Sequence, residues 1–198
     1  MVLTVARIFM SPLFLLSYLY HEQLGIPFSA LPWLLLGLLC VTELSDLFDG
    51  IVARKRNQVT DLGKVLDPMA DSIFRLSVLL TFTQGIIQLP ILLVCLFFYR
   101  DSMISTLRTV CAMRGITLAA RWSGKIKAAV QAAAAFIIVL LMIPHSFGLL
   151  SLSHLRSISF YTVLVAAIYT VYSGVEYVYA NFAFIKRALL RAPASEQS

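Results

Sequence analysis

Six apolar stretches run along the chain, at roughly 4–20, 28–50, 66–83, 88–107, 128–143 and 157–180. Each approaches the about 20 residues that a helix needs to cross a hydrocarbon core. The breaks fall where helix-interrupting residues cluster. Gly25-Ile26-Pro27 divides the first two stretches, Gln84-Gly85 divides the third and fourth, and Pro144 is expected to end the fifth. The second and third stretches are expected to continue as helix past their apolar cores, carrying the polar segment between them to a water boundary. No polar linker divides the chain, and no repeat of fixed period is evident. The pattern predicts an all-α polytopic membrane protein, with six transmembrane helices in one bundle over residues 1–198. Residues 187–198 read as a flexible C-terminal tail.

Composition strengthens that picture. The 198 residues are 60% hydrophobic and 13% charged, with a mean hydropathy of +0.86. A water-soluble domain of this size has too little interior to hide so much apolar surface. Arg7 precedes the apolar run from Ile8 to Tyr20, as in a signal peptide, but no small-x-small cleavage site follows. The segment is read as a retained first helix. Cys40, Cys95 and Cys111 are scattered and suggest neither a disulfide framework nor a zinc site.

Charge predicts orientation. The connections at 51–65 and 108–127 carry Arg54, Lys55, Arg56, Lys64, Arg108, Arg114, Arg121, Lys125 and Lys127, and the C-terminus adds Lys186, Arg187 and Arg191. The opposite connections, at 21–27, 84–87 and 144–156, hold only Arg156 among Lys and Arg. The asymmetry places both termini in the cytoplasm. The net charge of +6 favours anionic lipid headgroups. Nucleic acid is excluded as a partner, because these charges lie between spans and not on a soluble face.

Against that apolar background four carboxylates stand out. Asp46 and Asp49 are spaced i, i+3, and Asp67 and Asp71 are spaced i, i+4. Each pair shares one helix face. Two such helices packed face to face make a four-oxygen cage for two hard divalent cations, Mg²⁺ or Mn²⁺. Such ions offset the charge of a diphosphate and stabilise a leaving phosphate. Asp71, last of the four and deepest along its helix, is the best candidate for the base that takes a proton from an attacking hydroxyl. Arg75 lies one turn beyond it. Gly50, Ala53 and Gly63 allow close approach of backbone or substrate. Arg54 offers a two-pronged phosphate donor, Thr60 offers a hydroxyl, and Pro68 frees a backbone carbonyl.

The full string D-x2-D-G-x2-A-R-x8-G-x3-D-x3-D, from Asp46 to Asp71, resembles the signature of the CDP-alcohol phosphotransferase family. The resemblance implies a six-helix bundle, usually a homodimer, with two divalent ions. It implies that a phosphoryl-alcohol group passes from a cytidine diphosphate donor to an acceptor hydroxyl, with release of CMP. Asp46, Asp49, Asp67 and Asp71 then correspond to metal ligands, with Asp71 also the base. Gly50, Arg54, Thr60 and Gly63, with Thr4 and Arg7 of the first helix, correspond to contacts with the CDP moiety.

Other residues narrow the resemblance. Leu3-Thr4, Arg7-Ile8 and Pro12 look like the opening of the bacterial phosphatidylglycerophosphate synthases, a branch of that family. Arg100-Asp101, Leu107-Arg108, Gly115, Gly124-Lys125-Ile126-Lys127 and Gln131 resemble their fourth and fifth helices. That branch implies CDP-diacylglycerol as donor, glycerol 3-phosphate as acceptor, and a site at the cytoplasmic face of the inner (plasma) membrane. Arg100 and Arg108 share a helix face, and Lys125 and Lys127 begin the next helix. Together they suit a phosphorylated acceptor. Asp101 stands where Glu is common and Ala128 where Thr is common, and the usual lead before Leu3 is absent. Inositol phosphate, serine and choline therefore stay open as acceptors.

Two other classes use similar acids. Membrane prenyltransferases need a second Asp-rich motif on later helices, whereas residues 102–175 contain no Asp or Glu. A cation transporter needs acids or polar breaks in repeat-related positions near midmembrane. His21, His145 and His154 are expected at the interface opposite the acids. Trp33, Trp122 and the tyrosines suit the aromatic belt. Glu43 is placed to orient the motif, and Glu176 is expected to be paired or to snorkel rather than to act in catalysis.

Overall fold

Each apolar stretch forms most of one helix. The computed structural model describes residues 2–56, 61–114, 118 and 121–190, with side chains described for 9–45, 70–114, 118 and 121–186. The helices are α1 (Val2–Leu19), α2 (Leu31–Arg56), α3 (Asp61–Thr81), α4 (Ile91–Met113), α5 (Trp122–Ser146) and α6 (Leu152–Leu190). No strand occurs among the described residues. Helix continues well past the apolar core of α2 and at the start of α3, as the spacing predicts. Two boundaries differ from expectation. Pro144 lies inside α5, because in the last turn its missing N–H and its clash with the preceding turn disturb only the helix end. Helix α6 continues through residues 187–190 of the expected tail. Residues 191–198 lie outside the described residues.

The helices pack around a shared apolar core. Helix α1 packs on α2 and α3, α5 on α2, α3 and α6, and α4 on α3 and α6. Phe14, Leu35, Phe82, Phe97, Ile138 and Val163 are fully buried. Small residues, Ala134 and Ala135 on α5 and Ala166 and Ala167 on α6, are among the buried core positions and permit close helix approach. Thr170 and Ser173, buried on α6, donate their hydroxyls to carbonyls of their own helix, at 2.8 Å and 2.9 Å. Ser159, also buried on α6, has no partner for its hydroxyl among the described residues.

The outer surface is apolar too. Among the described residues two helical segments are long and apolar enough to cross a membrane, Trp122–Ser146 and Leu152–Lys186. Only 39% of the most apolar window of each is buried, whereas the core helix of a soluble protein is mostly covered. Leu92 and Tyr99 on α4 and Val165, Val175, Tyr179 and Phe182 on α6 are exposed. Phe9–Leu19 and Leu31–Ser45 are shorter apolar segments. Contiguous exposed apolar surface of this extent is unfavourable in water and suits lipid.

The α3–α4 connection is pinned by both neighbours. Tyr18, buried on α1, donates its hydroxyl to the Gln84 carbonyl and accepts from the Ile87 N–H, both at 3.2 Å. Its ring meets Phe82 edge-on at 5.6 Å. Arg156 of α6 donates to the Ile86 carbonyl at 2.8 Å. Gly85 makes the turn with φ +65°, and a Cβ there would lie 2.7 Å from Tyr18 Cε1. Gly148 also has a left-handed φ, +74°, but open space around it. Gly85→Ala and Gly148→Ala therefore share a backbone cost of about 1–2 kcal/mol. Only Gly85→Ala adds a steric cost of about 1–3 kcal/mol, because Tyr18 is held at both ends. Thermal unfolding in detergent should show a clearly larger loss for Gly85→Ala, and equal losses would contradict this account.

Candidate active site

The acid string is divided between two helices. Asp46 and Asp49 lie in the last three turns of α2, and Asp67 and Asp71 lie in α3. Both helices pack on α1 and on α5. The side chains of Asp46, Asp49, Gly50, Arg54, Gly63 and Asp67, and of Thr4 and Arg7 on α1, fall outside the described residues, as does Thr60 altogether. Asp71 is described. It is half-buried, and both it and Arg75 are engaged in interactions of their own. Among the described residues no group of three His, Cys, Asp or Glu side chains gathers as a metal site. The donor set itself fits hard divalent cations, being four carboxylates with helical spacing on two helices that share their neighbours. Glu43 and Arg75 flank a crevice between α2, α3 and α5 whose floor is apolar, with Leu39, Phe74 and Ala135 among its lining.

Beside Asp71 lies a network that the spacing alone does not reveal. The Asp101 carboxylate on α4 accepts from Lys127 Nζ of α5 through both oxygens, at 2.6 and 2.7 Å. It also accepts from Ser72 Oγ of α3 at 2.6 Å and from Arg100 Nη1 at 3.1 Å. The side chains of Lys127 and Asp101 are 5% and 11% exposed, so this pair is screened little by water. Arg100 lies against two glycines. A Cβ on Gly174 of α6 would come within 3.1 Å of Arg100 Cγ, and one on Gly124 within 3.7 Å of Nη2. Three helices are thus joined at one carboxylate, while Gly174 makes room for the arginine.

The four cations expected to act together are divided. Arg100 and Lys127 share Asp101. Lys125, two positions from Lys127, lies about 200° around the helix. It is exposed and stands over the Trp122 ring at 4.7 Å. Arg108 lies on the Arg100 face but about 12 Å further along α4. Its Nε donates to the Tyr177 hydroxyl at 3.0 Å. Glu176 is paired as expected, accepting from Arg121 at 2.5 Å and Ser123 at 2.6 Å. His145 and His154 bond locally to the Leu150 carbonyl and to Ser151, at 2.8 Å and 2.6 Å. That places them at the α5–α6 connection, away from the acid string.

Sequence spacing does not mark Ser72, Asp101, Gly174 or Tyr177 as site residues. A signal for Asp101 was present, since an acid beside Arg100 inside an apolar stretch needs a partner. Nothing in the sequence named Lys127 as that partner, 26 residues away.

A helical bundle with two helically spaced carboxylate pairs, on α2 and on α3, and a buried cationic network next to Asp71 has the charged groups that phosphate chemistry uses. A family model, described as CDP-alcohol phosphatidyltransferase, matches residues 1–172. A "Probable phosphatidylglycerophosphate synthase" of Mycobacterium tuberculosis is 33% identical over 178 residues, covering 89% of this chain and 78% of that protein. A "CDP-diacylglycerol--glycerol-3-phosphate 3-phosphatidyltransferase" of Bacillus subtilis is 32% identical over 192 residues, covering 93% and 95%. One of the same description from Rickettsia felis is 30% identical over 140 residues, covering 70% and 72%. The chain belongs to the CDP-alcohol phosphatidyltransferase family.

The two ion pairs should differ sharply in their effect on stability. Lys127→Met leaves the buried Asp101 short of its main counter-charge, at a cost of about 3 kcal/mol. Arg121→Gln removes a pair whose arginine is 43% exposed, at a cost below about 1 kcal/mol. Thermal unfolding of the two variants checks the ranking, which comparable shifts would refute.

Proposed function

We propose that this protein is an integral membrane phosphatidyltransferase that uses CDP-diacylglycerol as donor and glycerol 3-phosphate as acceptor. An acceptor hydroxyl oxygen bonds to the phosphorus that carries the diacylglycerol. The bond from that phosphorus to CMP breaks, and phosphatidylglycerol phosphate and CMP are the products. The hydroxyl proton passes to Asp71. The observation that carries this reading is the agreement between the acid string on α2 and α3 and the activity named for relatives 32–33% identical over most of the chain.

Asp46, Asp49, Asp67 and Asp71 would hold two divalent cations, Mg²⁺ or Mn²⁺. When bound, these supply charge compensation for the diphosphate and for the departing CMP. Gly50, Arg54, Thr60 and Gly63 hold the CDP moiety from the α2–α3 side, and Thr4 and Arg7 hold it from α1. Arg100 and Lys127 receive the acceptor phosphate. Lys125 and Arg108 flank it at longer range.

In this reading all six helices cross the inner membrane, both termini are cytoplasmic, and the protein acts as a homodimer. The exposed apolar faces of α4, α5 and α6 support immersion in lipid. Every 18-residue window of α4 contains Arg100, Asp101 and Arg108. The first two are paired inside the bundle, which lowers the cost of carrying them into the membrane.

The purified protein, given CDP-diacylglycerol, Mn²⁺ or Mg²⁺ and labelled glycerol 3-phosphate, inositol phosphate, serine or choline, should transfer chiefly to glycerol 3-phosphate. Activity should vanish with a chelator. Asn at any one of Asp46, Asp49, Asp67 or Asp71 should lower kcat on the order of 100-fold or more, the scale expected when catalytic electrostatics are removed. Preference for another acceptor would overturn the acceptor assignment. Normal activity in two or more Asn variants would overturn the metal assignment.

Orientation has its own test. In a cysteine-free background, an impermeant thiol reagent applied to intact cells should label cysteines placed at Gln23 or Ser151 and spare one at Gln58. The reverse pattern would invert the topology.

A further inference from the structure

The Asp101 network is unbalanced. It sets two cations, Arg100 and Lys127, against one carboxylate, and all three side chains are largely withdrawn from solvent. Within this group one positive charge is uncompensated. Arg100 also keeps a buried Nε that has no hydrogen-bond partner. An unmet donor and an excess positive charge in a dry place are costly unless a ligand meets them. An anionic ligand rich in oxygen does both, as the phosphate of an acceptor would.

The carboxylate fixes where the two cations stand. Lys127 would otherwise hold its ammonium on a flexible four-carbon stem. Asp101 takes two of its three N–H donors, one on each oxygen, and takes one from Arg100. Its fourth bond comes from Ser72, the residue after Asp71. The same carboxylate therefore ties the cations of α4 and α5 to the helix that carries the candidate base.

We propose that Asp101 is a positioning residue for the transfer reaction, holding Lys127 and Arg100 together at the acceptor phosphate and, through Ser72, in register with Asp71. The proposal rests on the reading of the protein as a transferase to a phosphorylated acceptor. A plain electrostatic role predicts the opposite outcome. Deleting a negative charge beside an anion site should tighten anion binding, whereas losing the scaffold for the cations should weaken it.

The test is steady-state kinetics of the full-length protein in detergent or liposomes, varying each substrate against the other. Variants are Asp101→Asn, Asp101→Glu and Ser72→Ala. For Asp101→Asn the glycerol 3-phosphate KM should rise on the order of 10- to 100-fold, with the CDP-diacylglycerol KM within about twofold. Asp101→Glu should recover part of the acceptor KM. Ser72→Ala should leave both KM values near wild type and lower kcat by roughly tenfold, as expected when reacting groups lose alignment. An unchanged or lowered acceptor KM in Asp101→Asn overturns the proposal, even while the wild type turns over normally. So does an equal rise in both KM values with no recovery in Asp101→Glu, which marks a merely structural acid. A wild type that transfers to no phosphorylated alcohol overturns this proposal and the activity together.

Discussion

A carboxylate inside an apolar bundle has to be neutralised, and the way Asp101 is neutralised organises the centre of this molecule. It collects hydrogen bonds from α3, α4 and α5. Each removes part of the cost of keeping an ion away from water. Hydrophobic contact cannot neutralise an ion, whereas counter-charges and hydrogen bonds can. Around it, buried alanines on α5 and α6 and the glycine behind Arg100 permit close packing.

The two ends of the bundle are built differently. At the α3–α4 connection, Tyr18 and Arg156 satisfy the backbone groups of residues 84–87 directly. The aromatic contacts of Phe14 and Tyr18 with Phe82 fill the space beneath. Those side chains are used up in holding the turn. Near the acid string, by contrast, Arg100 retains an unmet donor and the charges do not cancel. A turn pinned by direct hydrogen bonds at one end and an unmet arginine donor beside the acids at the other suit a scaffold that holds a candidate site for charged ligands.

Much of this was legible in the chain. Six helices in order follow from apolar runs cut by Gly25, Pro27, Gly85 and neighbouring polar residues, because an apolar helix must end where its backbone turns. The candidate metal ligands follow from the i, i+3 and i, i+4 spacing of four acids. Helical geometry brings such residues onto one face whatever surrounds them. The pairing of Glu176 was legible as a need, since an acid on an apolar helix requires a partner, although Arg121 and Ser123 could not be named.

The division of the cations was not legible. Arg100, Arg108, Lys125 and Lys127 look equivalent as charges near one connection. Only helix rotation and packing send Lys125 outward to Trp122, hand Arg108 to Tyr177, and fold Lys127 onto Asp101. Sequence by itself determined the class of helix, the acid string and the family, because these depend on periodicity and on residue identity within a short span. The tertiary structure alone decided which cation faces which acid. That choice depends on how three helices, remote in sequence, rotate and approach, and a buried carboxylate holds the cations that packing brings within hydrogen-bonding reach.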